Sequence, residues 1–245
     1  MPFLNKEKNL YSEIFRIFAT KTKCKMGTKN GKIRKTMQGV PEPTIRRMPT
    51  YLNLIRELRE KGEINISAPQ ISNRLSMDST QVVKDLSYAG ASGKPKVGYV
   101  LEDLFDCLQD FLGYNRRQEA FLVGAGCLGS ALIQYRGFSE TSMDIVAAFD
   151  NDPEKVGSDI GGIPVFSMEK YRDLADRLHI PIGIITTPAS AAQEVADLMV
   201  AWGIKAIWNF APVVLKVPSH VIMQDTHIYA NLAVILNKLA VLQEK

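Results

Sequence analysis

The apolar run from Ala120 to Val123 leads directly into Gly124-Ala125-Gly126-Cys127-Leu128-Gly129, which opens into Ser-Ala-Leu-Ile-Gln-Tyr and ends at Tyr135. No other feature restricts the fold as much. The first glycine permits a tight turn, and the second lets the backbone approach a pyrophosphate. The third lets helix and sheet pack closely, with phosphate at the helix N-terminus. A GxGxxG alone is a weak signal; its place between strand and helix gives it weight.

A second strand, Asp144 to Phe149, ends at Asp150, which lies 24 residues after Gly126. That spacing suits a carboxylate accepting both ribose hydroxyls of an adenosine, and a 2′-phosphate would meet it in repulsion, so NADH or NAD⁺ is expected rather than the phosphorylated forms. Three further strand-helix signals follow: GIPVFS with a helix from Met168, IGIITTP with a helix from Ala189 to Trp202, and IKAIWNF. They predict an α/β, Rossmann-like doubly wound parallel sheet over 118–216. Ligands bind beyond the carboxyl ends of such strands, which puts Thr186, Thr187, Pro188, Asn209 and Phe210 beside the fingerprint residues Gly124, Gly126, Cys127, Leu128 and Gly129.

At 245 residues the chain has room for a second domain. Charge divides it: residues 1–43 hold 10 Lys/Arg and 3 Asp/Glu, residues 44–100 hold 9 and 5, and residues 101–245 hold 11 and 18. A basic front and an acidic back point to a polyanion at the front only. Residues 1–43, with KTKCKMGTKNGKIRKTMQG, read as a basic and disordered arm.

Residues 44–100 read as a winged helix-turn-helix. Ile45, Met48, Leu52, Ile55 and Leu58 recur at helical steps with Arg46, Arg47, Arg56 and Arg59 on other faces. Ser67 caps a second helix carrying Ile71 and Leu75, and after a turn a third starts at Thr80 with Val82, Val83 and Leu86 inward. That register exposes Gln81, Lys84, Asp85, Ser87 and Tyr88 to base edges and phosphates, and GKPKVGYV supplies a wing with Lys94 and Lys96. Arg46 and Arg47 join these as expected DNA contacts. The amphipathic stretch 101–117 is expected to connect the two domains.

No run of 18 apolar residues exists and the N-terminus lacks a signal peptide's apolar segment, so no membrane contact and a cytoplasmic location are expected. The three cysteines, Cys24, Cys107 and Cys127, have neither disulfide nor metal-ligand spacing. With three histidines and no assignable proton relay, catalysis is poorly supported. Two other readings stand beside a nucleotide-responsive DNA-binding regulator. One is a regulator that keeps the nucleotide as a structural or non-redox ligand, and the other is an NAD-dependent oxidoreductase fused to a helix-turn-helix.

From about Thr44 to its end the chain resembles the Rex family of redox-sensing transcriptional repressors, on "QVVKDLSY", "KVGY", "GAGCLGSAL", "FDNDPEKVG", "AAQEVAD" and "NFAPV". The resemblance implies a homodimer on palindromic operator DNA, released when NADH binds, while NAD⁺ permits or favours binding. It also implies that the C-terminal segment, 217–245, carries a helix from roughly Thr226 to Gln243 that swaps between subunits. Two stretches depart from the family: Cys127 stands where Asn or Arg is usual, and YAGASG (Tyr88 to Gly93) replaces a more aromatic run. The family's switch joins an Asp, a Tyr and an Arg. Tyr135 matches the Tyr, while His227 stands at the Asp and Asn53 at the Arg. With both charges gone together, either a neutral Asn53 to His227 contact replaces the pair or the switch is weak or pH-dependent.

Overall fold

The structure is a computed structural model that describes residues 39–243. The chain divides between Arg116 and Arg117 into two compact units. The arm expected over 1–43 lies outside the described residues as far as 38, and so does Cys24.

The first unit opens with α1 (Glu42–Glu60), which starts two residues before the expected Thr44 because Pro41 accepts the first helical hydrogen bonds and Pro43 fits the first turn. Its face of Met48, Tyr51, Leu52, Ile55 and Leu58 is buried, but Ile45, expected inward, is exposed on the first turn. A short strand β1 (Asn65–Ile66) precedes α2 (Ala68–Leu75). Ser67 caps α2 in a reciprocal box with Gln70, as the sequence suggests. Ser76 then turns the chain through a left-handed conformation into α3 (Ser79–Tyr88), capped by Asp78.

The wing is a tight turn closed between Lys94 and Gly98, feeding β2 (Tyr99–Val100), which pairs antiparallel with β1. Gly98 sits at φ +83°, where an added Cβ would collide with the Ile66 carbonyl. α4 (Leu101–Leu112) follows and ends at Gly113 in the left-handed conformation. Expected as a connector, α4 is instead part of the first unit's core. Leu101, Leu104, Leu108 and Phe111 are buried in the same cluster as α1's apolar face. Burial of four such side chains is worth about 1.5–3 kcal/mol each, more than a free connector would forgo. Arg59 of α1 adds a bidentate pair with Glu102 and lies 4.0 Å over the Phe105 ring.

The second unit holds a seven-stranded sheet in the order β5-β6-β4-β3-β7-β8-β9. Its members are β3 (Gln118–Val123), β4 (Met143–Asp150), β5 (Asp159–Ile160), β6 (Ile163–Ser167), β7 (Ile182–Ile185), β8 (Ala206–Asn209) and β9 (Ile222–Asp225). Only β5 runs antiparallel to its neighbour. The helices are α5 (Cys127–Ile133), α6 (Gly137–Glu140), α7 (Tyr171–Leu178), α8 (Ala189–Ala201) and α9 (Ile228–Gln243). Strand alternation sends Ala120, Leu122, Ala148 and Ile184 into one buried cluster. On other strand positions Phe121 and Phe149 meet Tyr171 edge-on or tilted, with Trp202 beyond.

The sheet does not stop at residue 216, since β9 lies beyond it as an edge strand on β8. α9 has an apolar surface but no buried residue.

Candidate functional site

The three fingerprint glycines divide their work as their spacing implies. Gly124, at φ +103°, turns the chain against the end of β7, where an added Cβ would lie 2.8 Å from the Thr186 carbonyl carbon. At Gly129 a Cβ would collide with the Gly124 carbonyl oxygen, so α5 can seat on β3 only without one. At Gly126 a Cβ would meet nothing within 4 Å. The first and third glycines are thus required by the fold, and the second borders open space.

That space is one end of a cleft of about 660 Å³ at the carboxyl ends of the strands. Gly124, Gly126, Leu128, Asp150, Thr187, Pro188 and Phe210 line it, as expected. Asp150 closes it beside the fingerprint. One carboxylate oxygen accepts the Ala125 N–H at 2.8 Å and the other accepts the Asp152 N–H at 2.9 Å, which fixes the carboxylate against the turn. Each oxygen has two acceptor sites, and with the Lys155 ammonium also bound to one oxygen, one site remains for a ribose hydroxyl. Lys155, which also lines the cleft, reaches Asp150 at 3.3 Å and Asp152 at 3.4 Å. Its hydrogen bond to Asp150 raises its pKa above the ordinary lysine value. Sequence reasoning missed Lys155, although it sits five positions after Asp150 in the same turn.

The two threonines differ. Thr186 donates to the Gly124 carbonyl at 2.7 Å and ties β7 to the fingerprint turn. Thr187 keeps a buried hydroxyl with no hydrogen-bond partner among the described residues. A buried hydroxyl left unmade costs about 1–3 kcal/mol, so a polar ligand in the cleft has a ready contact. The open Gly126 cradle, the Asp150 carboxylate and this orphan hydroxyl fit a dinucleotide.

Four expected cofactor residues do not line the cleft. Asn209 is fully buried, donating to the Val213 carbonyl and the Asp225 carboxylate while accepting from the Ala211 N–H. It pins the β8 and β9 ends, with both amide hydrogens engaged, and does not line the cleft. Cys127 and Gly129 do not line the cleft, Gly129 being committed to helix packing. Tyr135 is 60% exposed, its ring edge-on to Phe138 at 5.2 Å. His227, expected at the switch, does line the cleft, with Thr226, Ile228 and Tyr229 at the root of α9. Asn53 is exposed and accepts a hydrogen bond from Arg56 at 3.4 Å.

In the first unit the expected DNA face needs correction at Asp85. Far from facing solvent, its side chain is fully buried. Arg47 donates to it through two nitrogens at 2.6 and 2.8 Å, Tyr51 at 2.8 Å, Thr44 at 3.0 Å and Gln81 at 2.7 Å. Burial alone pushes the Asp85 pKa up, but these hydrogen bonds, led by Arg47, outweigh it and hold the carboxyl below the usual range. Asp85 therefore locks α3 onto α1. Arg47, expected on DNA, is committed to that lock and partly buried.

Val83, expected inward, is 47% exposed. Lys84 and Ser87 are exposed as expected, whereas Gln81 and Tyr88 are only half so, Tyr88 packing on the core. Arg46 is exposed and paired with Glu42 one turn before it. Lys94 and Lys96 stand exposed on the wing. Among the described residues no helix is long and apolar enough to cross a membrane, and no cluster of three metal-ligating side chains occurs.

Comparison with known proteins agrees with both halves. A family model described as "Putative DNA-binding protein N-terminus" matches residues 39–87, and one described as "CoA binding domain" matches 115–213. The redox-sensing transcriptional repressor Rex of Bacteroides fragilis is 44% identical over 213 residues, covering 86% of this chain and 97% of its own. The Rex repressor of Porphyromonas gingivalis is 44% identical over 200 residues, covering 82% and 92%. The crystal structure of RSP in complex with β-NAD⁺ and operator DNA superimposes with a TM-score of 0.79 at 33% identity, over 84% of this chain and 96% of RSP. RSP in complex with β-NADH gives 0.74 at 32%. At that identity over most of its length, the chain belongs to the Rex family of redox-sensing transcriptional repressors.

Proposed function

We propose that this chain is an NADH-responsive repressor that holds palindromic operator DNA as a cytoplasmic homodimer and lets go when NADH fills the Rossmann cleft. NADH or NAD⁺ lies along the fingerprint with its pyrophosphate over Gly126 and its adenosine ribose on Asp150. DNA is met by Lys84 and Ser87 of α3, by Lys94 and Lys96 of the wing, and by Arg46. The relatives are named as transcriptional repressors rather than oxidoreductases, and RSP carries both nucleotide and operator.

The observation that carries this reading is that Thr226 to Tyr229, at the root of α9, line the same cleft as the glycine fingerprint. α9 itself is uncovered, with Leu232, Ile235, Leu236 and Leu239 each about half exposed. A second copy of the chain suits that face, and a nucleotide in the cleft then acts on the root of the dimerising helix. The uncharged dihydronicotinamide suits apolar surroundings better than the cationic oxidised ring, which supplies the differential affinity any switch needs. The Asn53 and His227 positions modulate this switch.

The test is fluorescence anisotropy of a labelled palindromic operator titrated with NADH and, separately, with NAD⁺. Release by NADH at concentrations where NAD⁺ leaves the complex intact is the expected result. Equal behaviour with both nucleotides bound would leave a DNA-binding protein with a structural nucleotide.

A further inference from the structure

The helical stripe of α3 that faces solvent is Thr80, Val83, Lys84 and Ser87, at steps of three and four, while Val82, Asp85 and Leu86 face the core. Within that stripe Val83 is out of place as a surface residue. It is β-branched, which disfavours the helix, and it exposes 47% of itself to water with no return inside the unit. Scattered surface apolar residues are ordinary. This one lies in the N-terminal half of the second helix of a helix-turn-helix, the part that reaches deepest into the major groove.

We infer that Val83 is a base-reading residue, and that what it reads is the 5-methyl group of a thymine in each half-site. The side chain neither donates nor accepts a hydrogen bond, so it cannot recognise the N7, O6, N6 or N4 groups of the other bases. Thymine's methyl is the one apolar feature on the major-groove edge. The charges beside it suit that placement. Lys84 is the next residue on the same exposed stripe, and Lys94 and Lys96 on the wing add positive charge, so the backbone phosphates are drawn in around an apolar contact. Asp85, two residues on, faces the core, is buried and paired, and adds no repulsion on this face. The inference rests on the DNA-binding reading above and specifies one letter of the sequence it recognises.

The experiment starts from a duplex recovered by selection from random-sequence DNA with the full-length protein. Each thymine is then replaced in turn by deoxyuridine, which removes only the methyl, and affinity is read by anisotropy. One position per half-site is expected to weaken binding about fourfold, and both together about fifteenfold, the value of one methyl-sized contact withdrawn from water at each. Val83→Ser, which carries no methyl, is expected to bind the thymine and deoxyuridine duplexes equally at that position and to keep any other thymine preference unchanged.

Deoxyuridine without effect anywhere overturns the inference and leaves DNA binding intact. So does an effect that Val83→Ser does not abolish. Failure of the selection to enrich any duplex overturns the DNA-binding reading itself. The deoxyuridine arm uses the unmodified protein, so the outcome does not depend on how the variant folds.

Discussion

Replacing Asp85 by Ala removes the acceptor that Arg47, Tyr51, Thr44 and Gln81 share. Truncating one member of a buried ion pair typically costs 3–5 kcal/mol. Here Arg47 is 29% exposed and recovers some solvation, whereas the Tyr51 hydroxyl is buried and stays orphaned, so a loss of about 3 kcal/mol is expected. For a unit of this size 1 kcal/mol moves Tm by about 4–8 °C, so the first unit should melt at least about 12 °C earlier. The two tryptophans, Trp202 and Trp208, both lie in the second unit. Far-UV circular dichroism of the full chain follows both units while tryptophan fluorescence follows the second. Asp85→Ala should add an early circular-dichroism step and leave the fluorescence transition in place. Because the folded pKa of Asp85 is depressed, its contribution is complete above the unfolded value of about 3.9 and is lost as pH falls through the folded one. Wild type should therefore lose stability in the first unit below about pH 4, and Asp85→Ala should lose distinctly less there. A shift of only a few degrees, or an unchanged acid profile, would refute the network.

Other consequences separate the roles assigned above. Gly126→Val should weaken NADH binding at least about a hundredfold, by isothermal titration, with Tm little changed because its Cβ has open space. Gly129→Ala should instead lower the melting temperature of the second unit, overpacking α5 against β3 at a cost of about 1–3 kcal/mol. Lys84→Ala should weaken operator binding and make the salt slope shallower by about two units, one for each subunit of the dimer, measured by anisotropy across a salt series. Leu232→Glu with Leu239→Glu should convert a dimer to a monomer in sedimentation velocity, since both lie on the exposed stripe of α9.

What the sequence revealed is what neighbours in the chain decide. The fingerprint turn, the Ser67 cap and the wing turn depend on spacings of a few residues, and each is where the spacing put it. Asp85 was misread because a carboxylate on a helix ordinarily faces water, and the donors that bury it, Thr44, Arg47 and Tyr51, lie 34 to 41 residues away. Val82 and Val83 are adjacent and equally apolar, so periodicity alone cannot choose between them; the core takes Val82. Asn209 ends a strand where ligand-binding residues often stand, but β9, a four-residue edge strand with no apolar alternation, supplies Asp225 as its partner. The connector assigned to 101–117 failed for a related reason. An amphipathic stripe says that a helix is covered, and tertiary structure says by which unit.

Release of operator DNA by NADH requires that the nucleotide cleft and the DNA-binding unit be energetically coupled. Coupling between binding sites is reciprocal, so in a homodimer with two nucleotide sites the loss of DNA affinity at saturating NADH must equal the product of the factors by which operator DNA weakens NADH at the two sites. The decisive measurement is the NADH dissociation constant of the full chain, by titration with and without saturating operator. NADH should bind at least about tenfold more weakly at each site of the operator complex, with the product over the two sites matching the loss of DNA affinity on NADH within error. Identical NADH affinity in both states would contradict it.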